Sequence, residues 1–172
     1  MTLDYYIFNF LNGLAGHSLW LDGLIIFFAD FLIAFLPMIA VLSYFLVPRA
    51  RKVRYGRALL SLILSLALAE LVYLLIGLFY HRHRPFLVYR ISDQLINITS
   101  SQSFPSNHTI LGFVFSLNFW RVNRILGIIF VISALIIGLA RVVGGVHYPS
   151  DVLGGILIAL FSTWLIKEIM QK

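Results

Sequence analysis

The sequence predicts an all-α fold, a polytopic helical bundle embedded in a membrane. Three observations carry that expectation. Of 172 residues, 60% are hydrophobic and 12% charged, with a mean hydropathy of +0.94. A soluble domain of this length would lack the polar surface to cover such a core. Apolar runs recur at the length of a membrane-crossing helix, roughly 20 residues. The basic residues sit in short clusters between those runs rather than along a polar face, so the formal charge of +6 sets topology and does not point to nucleic acid.

Taken in order, Leu3 to Ala15 is too short to cross and is expected as an interfacial helix, with Tyr5, Tyr6, Phe8 and Phe10 at headgroup level. About five transmembrane helices follow: Asp22 to Val47, Ala58 to Tyr80, a short one from Asn107 to Trp120, Ile125 to Val143, and Val152 to Ile166. The short span fits a helix that starts at the floor of a recessed site. Six helices thus form one integral-membrane domain over residues 1–172. Met1 to Asp4 carries no basic stretch of the kind that opens a cleavable signal. The absence of cysteine excludes disulfides and thiolate chemistry.

Charge gives the orientation. Arg49, Arg51, Lys52, Arg54, Arg57, Arg121, Arg124, Lys167 and Lys172 fall on one side, which the positive-inside rule makes cytoplasmic. Arg82, Arg84, Arg90, Arg141 and four of the five histidines fall on the other, so the unusual chemistry is expected on the outer face. Ser92 to Asn107 is expected to form a partly amphipathic cap over the site entrance. Asp30 and Glu70 lie within spans. They read either as functional groups or as a protonated or hydrogen-bonded pair that joins the first two spans.

Three clusters carry chemistry. In the first, His81-Arg82-His83-Arg84-Pro85-Phe86, the proline pushes Arg84 towards an extended conformation and ends the helix. Alone, it would serve equally as a headgroup-binding stretch. The second, Phe104-Pro105-Ser106-Asn107-His108, opens the short span with Ser106 as N-cap, which aims free N–H groups and the helix dipole at an anion. In the third, Arg141 precedes His147-Tyr148-Pro149-Ser150-Asp151. Gly144 and Gly145 allow close approach of the backbone to a ligand, and Asp151 can reach back to His147 Nδ1–H, leaving Nε2 free as a nucleophile. Arginines, an anion-binding helix start and two histidines suit phosphoryl transfer with an arginine clamp and neither metal nor other cofactor.

These clusters resemble the signature of the type 2 phosphatidic acid phosphatase superfamily: Lys-x6-Arg-Pro, Pro-Ser-Gly-His and Ser-Arg-x5-His-x3-Asp. Here they read Gly77-x6-Arg84-Pro85, Pro105-Ser106-Asn107-His108 and Ala140-Arg141-x5-His147-x3-Asp151. The resemblance implies that His147 attacks phosphorus with Asp151 orienting it. It implies that His108 protonates the leaving group and then activates water. It implies that Arg84, Arg141, Ser106 and the backbone near Asn107 bind the phosphoryl oxygens, with Pro85 shaping the first motif. Gly77 departs from the family's lysine, and Arg82 is the expected replacement, with His81 or His83 behind it.

Within the superfamily the chain is most similar to the bacitracin-resistance branch of bacterial undecaprenyl-diphosphate phosphatases. That resemblance implies a polyprenyl diphosphate substrate, a plasma-membrane location and a role in cell-wall biogenesis. Phosphatidylglycerol phosphate, phosphatidic acid and lipid A 1-phosphate stay open as alternatives, since each offers the same residues a phosphoryl group. A non-catalytic lipid-binding protein is the reading from another class. The oligomeric state is left open.

Overall fold

The computed structural model describes residues 2–89, 91 and 93–171. The expectations placed on Arg90 and Lys172, and the first residue of the expected cap, Ser92, lie outside the described residues. Seven helices make up the fold, and among the described residues there is no strand. They are α1 (Leu3–Asn12), α2 (Leu19–Leu46), α3 (Arg49–Phe79), α4 (Pro85–Val88), α5 (Asn107–Phe119), α6 (Arg124–Val143) and α7 (Pro149–Gln171).

Four of these, α2, α3, α6 and α7, are long and apolar enough to cross a membrane. Leu60, Ile63, Leu74, Ile132, Leu135, Leu157 and Phe161 stay exposed along them, a belt that only hydrocarbon would solvate. The fifth expected crossing, α5, has 13 residues and a length of about 20 Å, against a hydrocarbon core of roughly 30 Å. It is the most enclosed helix, with Ile110, Val114 and Phe119 fully buried in the central cluster. Helices α3, α6 and α7 pack around it.

The long helices extend beyond their apolar runs. Helix α3 starts before Ala58 because Lys52, Arg54 and Arg57 keep their stems in the helix and their charges at its end. Helix α7 starts at Pro149, a residue that tolerates the first turn because its missing N–H would be unpaired there anyway. Helix α2 contains a π turn over Phe27–Phe31 and, further on, Pro37. Inserted π turns are frequent at functional sites, and this one holds Asp30.

Helix α1 is amphipathic and firmly attached, and Phe8, expected at headgroup level, is instead buried against the protein. Leu3, Tyr6 and Phe10 are exposed while Phe8 and Asn12 are buried. Asn12 Nδ2 donates to the carbonyls of Asp93 and Val143, each at 2.9 Å, and Phe8 packs on Tyr148 with ring centroids 5.6 Å apart. The helix is thereby fixed to the loop that carries His147.

The candidate active site

The turn between α6 and α7 is built to hold one side chain still. Gly145 adopts φ +86°, its N–H donates to the Val142 carbonyl, and the Val146 N–H reaches back to the Arg141 carbonyl at 3.2 Å. This is a Schellman motif, in which a left-handed glycine lets the last carbonyls of a helix find partners. The glycines were expected to admit a ligand. Instead, a Cβ on Gly144 would fall 2.4 Å from Ile96 Cδ1, and one on Gly145 would fall 2.9 Å from Ile91 Cδ1. They admit the protein's own covering loop.

His147 emerges from this turn only 2% exposed. Its Nε2 lies 3.2 Å from Arg84 Nη1. Arginine has no acceptor, so the ring nitrogen accepts there and the neutral ring carries its proton on Nδ1. That proton faces Asp151 Oδ2 at 3.5 Å, longer than a hydrogen bond, and Nδ1 has no closer partner among the described residues. Asp151 therefore acts on His147 by charge and position more than by a short bond. Burial pushes the His147 pKa down to about 4; Asp151 opposes this, while the Arg84 and Arg141 charges add to it. The imidazole is neutral at neutral pH, with its lone pair on the buried nitrogen.

Asp151 is held from four sides. Oδ2 accepts from the Ser103 hydroxyl at 2.5 Å and from the Tyr148 N–H at 2.8 Å, and Oδ1 accepts from Arg82 Nη1 at 2.8 Å. The fourth hold is through the backbone, where the Ser106 N–H donates to the Asp151 carbonyl at 3.0 Å and joins the starts of α5 and α7. Arg82 also donates to Ser150 Oγ and to Asp4 Oδ2, each at 2.6 Å, and lies 3.8 Å over the Tyr148 ring. Burial would lower the Arg82 pKa, but the Asp4 hydrogen bond and the charges of Asp151 and Asp4 leave it raised. Arg82 was expected to replace the motif-one lysine on phosphate. Its guanidinium bonds two carboxylates behind the histidine, those of Asp4 and Asp151.

The lysine's place is filled otherwise. A Cβ on Gly77 would lie 2.8 Å from Gln102 Nε2 and 3.1 Å from its Oε1. The carboxamide of Gln102 covers the glycine and donates to the Phe104 carbonyl at 3.1 Å. His81 and His83 are exposed, and the His81 ring lies 3.2 Å from the Ser101 hydroxyl.

Arg84 precedes α4 in an extended conformation, φ −66° and ψ 153°, with Pro85 at the first helical position as expected. Its Nε donates to the Ser100 carbonyl at 2.7 Å and Nη1 to the Val146 carbonyl at 2.8 Å. Burial, with the nearby Arg141 charge, lowers its pKa to about 10, so it stays cationic. Arg141 is 2% exposed, and its Nη1 donates to Asp30 Oδ1 at 2.5 Å, while Nε is unpaired among the described residues. Asp30 and Glu70 do not form the inter-span pair considered above. Asp30 takes Arg141, and Glu70 accepts a long contact, 3.4 Å, from Asn107 Nδ2.

Ser106 stands at the N-cap of α5 with a capping backbone, but its side chain does not cap; it accepts from the Thr109 hydroxyl at 3.0 Å. His108, half-buried in the first turn of α5, shares the charge environment of Arg141, His147 and Arg84. The three clusters therefore converge. The covering loop pairs with the first of them, through His83 opposite Gln102, Arg84 N–H to the Ser101 carbonyl and Ser103 N–H to the Arg82 carbonyl. Ser103, Gln102 and Asp4 were not singled out from the sequence. The serine and glutamine lay in the polar stretch read as a cap, while Asp4 gave no signal at all.

The PAP2 superfamily model matches residues 58–172. Undecaprenyl-diphosphatase BcrC of Bacillus subtilis (strain 168) is 31% identical over 95% of this chain and 82% of its own length. Putative undecaprenyl-diphosphatase YbjG of Escherichia coli (strain K12) is 30% identical over 99% of this chain and 84% of its own. Among solved structures, LpxE of Aquifex aeolicus superposes with a TM-score of 0.78 at 21% identity, over 98% of this chain and 96% of that one. A PAP2-type phosphatidylglycerolphosphate phosphatase of Bacillus subtilis gives 0.65 at 22% identity, over 99% and 88%. The chain belongs to the PAP2 superfamily, as a membrane-embedded hydrolase.

Proposed function

We propose that this protein hydrolyses undecaprenyl diphosphate to undecaprenyl phosphate and inorganic phosphate, through a phosphohistidine on His147. The observation that carries the reading is the buried, neutral His147, whose lone pair on Nε2 faces Arg84. In the first step the lone pair attacks the terminal phosphorus and the bridging P–O bond breaks. The leaving lipid phosphate takes a proton from His108. In the second step His108, now neutral, removes a proton from water as its oxygen attacks phosphorus, and the N–P bond breaks to free phosphate. Arg84 and Arg141, with the free N–H groups at the start of α5, hold the charge that develops on the equatorial oxygens. The names of the 30–31% identical relatives support the diphosphate as substrate. The cluster of Arg54, Arg57, Arg121 and Lys167 at the far end supports a cytoplasmic C-terminus, with the site facing the outer side of a bacterial plasma membrane.

The test is a competition among undecaprenyl diphosphate, phosphatidylglycerol phosphate and phosphatidic acid at equal surface concentration, in excess chelator. Undecaprenyl diphosphate is expected to be hydrolysed fastest, with no loss to the chelator. A faster rate on either glycerolipid would overturn the substrate assignment.

Gln102 occupies the space that a lysine at position 77 would claim, and its carboxamide supplies the polar contact there in our reading. Gln102→Ala should raise KM about five- to tenfold, the worth of a neutral hydrogen bond, and leave kcat within about twofold. An unchanged KM would show that the carboxamide only fills space.

A further inference from the structure

Helix α5 ends at Phe119, while α3 and α7, which pack against it, extend past its end. The overhang leaves a cavity of about 500 Å³ at the end of the bundle away from His147. Arg54, Arg57, Arg121 and Lys167 line it, with Ser61 and Asn118 among its polar walls, and no carboxylate is among its lining residues. Among the described residues none of the four cations forms an ion pair. Lys167 Nζ donates to the Leu117 carbonyl at 2.6 Å and the Arg54 guanidinium to the Arg121 carbonyl, so two of the four are held by backbone. A second cavity of about 300 Å³ shares Arg121 and Lys167 and is lined by Trp120, Trp164, Glu168 and the buried Thr163, whose hydroxyl is unpaired among the described residues.

Positive charge at the inner end of a membrane protein is general, but such charge usually points into water. Here it surrounds a hollow, where field lines are focused and an anion is favoured. Val53 and Met170, which also line the larger cavity, are exposed on the outer surface of the bundle. A free anion has no use for apolar walls, whereas a headgroup with acyl chains does. We infer that this cavity binds the phosphodiester headgroup of an anionic phospholipid, with its chains lying along α3 and α7. Basic pockets between helices on this side are suited to such headgroups.

The full chain has three tryptophans, and two of them line the smaller cavity. In detergent micelles, a Trp20→Phe background lets Trp120 and Trp164 report binding by fluorescence. Titration with short-chain phosphatidylglycerol should give a saturable change, while phosphatidylcholine and millimolar inorganic phosphate should not. Arg57→Gln with Lys167→Gln should weaken the response about tenfold or more, the worth of one charge-assisted hydrogen bond. The charge-keeping Arg57→Lys with Lys167→Arg should retain it. Hydrolysis of a short-chain prenyl diphosphate, measured on each variant, reports that the distant site is folded. If the double glutamine variant loses hydrolysis, Arg121→Gln takes its place in the same titration. Equal responses to phosphatidylcholine or to free phosphate, or undiminished phosphatidylglycerol binding in the folded charge-removing variant, would overturn the inference.

Discussion

Replacing His147 with alanine is expected to reduce phosphate release from a short-chain prenyl diphosphate by about four orders of magnitude or more. Removing a covalent nucleophile eliminates a pathway, and what survives is only the electrostatic help given to water, as in other sites that keep their oxyanion donors. Arg84 and Arg141 stay on backbone and Asp30 partners in that variant, so binding should persist while turnover disappears. Retained KM-scale affinity with lost kcat is therefore the signature; persistent turnover would refute the nucleophile. The same residue fixes a pH limb. Burial holds the His147 pKa at about 4, below the ordinary value near 6.5, so the free enzyme keeps an unprotonated nucleophile until the pH falls to that value. The acid limb of kcat/KM should lie near pH 4–5. An acid limb at or above 6.5 would mean that a different group is being titrated.

Arg141→Gln is expected to lower kcat/KM by about a thousandfold, in the range seen when an arginine that stabilises transferring phosphoryl charge is lost. The side chain is buried and its Nη1 is tied to Asp30, yet its Nε has no partner among the described residues, so one donor is oriented and unspent. Removing it also leaves the Asp30 carboxylate without its partner, so folding of the variant is checked alongside its activity. Asp30→Asn gives a milder version: the guanidinium keeps its charge and loses its anchor, with an expected fall of about tenfold. In the double variant the two effects should not add, because Asp30 acts only through Arg141. Additive losses would mean that Asp30 touches substrate itself.

The residues that gather at the candidate site were largely legible from spacing. Arg84 before a proline, Arg141 six residues before His147, and Asp151 four residues after it are local facts, and helix geometry carries them to the same end of the bundle. The contacts that aim those groups were not legible. Ser103 meets Asp151 across 48 residues, Arg82 meets Asp4 across 78 and Arg141 meets Asp30 across 111. No periodicity encodes a tertiary hydrogen bond. Arg82 illustrates this: next to a motif, its charge suggested phosphate, but two carboxylates brought from opposite ends of the chain claim it first. Four of the five expected spans were found because lipid demands apolar runs, and their ends were missed by several residues because charged stems can continue a helix past the hydrocarbon. The π turn around Asp30 left no mark in the apolar pattern.

Asp4 accepts from Arg82 and from Ser150, the latter 146 positions later in a chain of 172. A ribosome that releases residues from the N-terminus onward thus makes Asp4 146 residues before the Ser150 it bonds. During most of synthesis α1 has nothing to dock against, and its exposed Leu3, Tyr6 and Phe10 suit it to wait on a lipid surface. Only when α7 arrives can Asp4, Arg82, Ser150 and Asp151 close their ring of hydrogen bonds around the histidine. Such long-range closure is slow relative to local helix formation. The hydrogen-bonded frame around His147 is therefore complete only once α7 is in place.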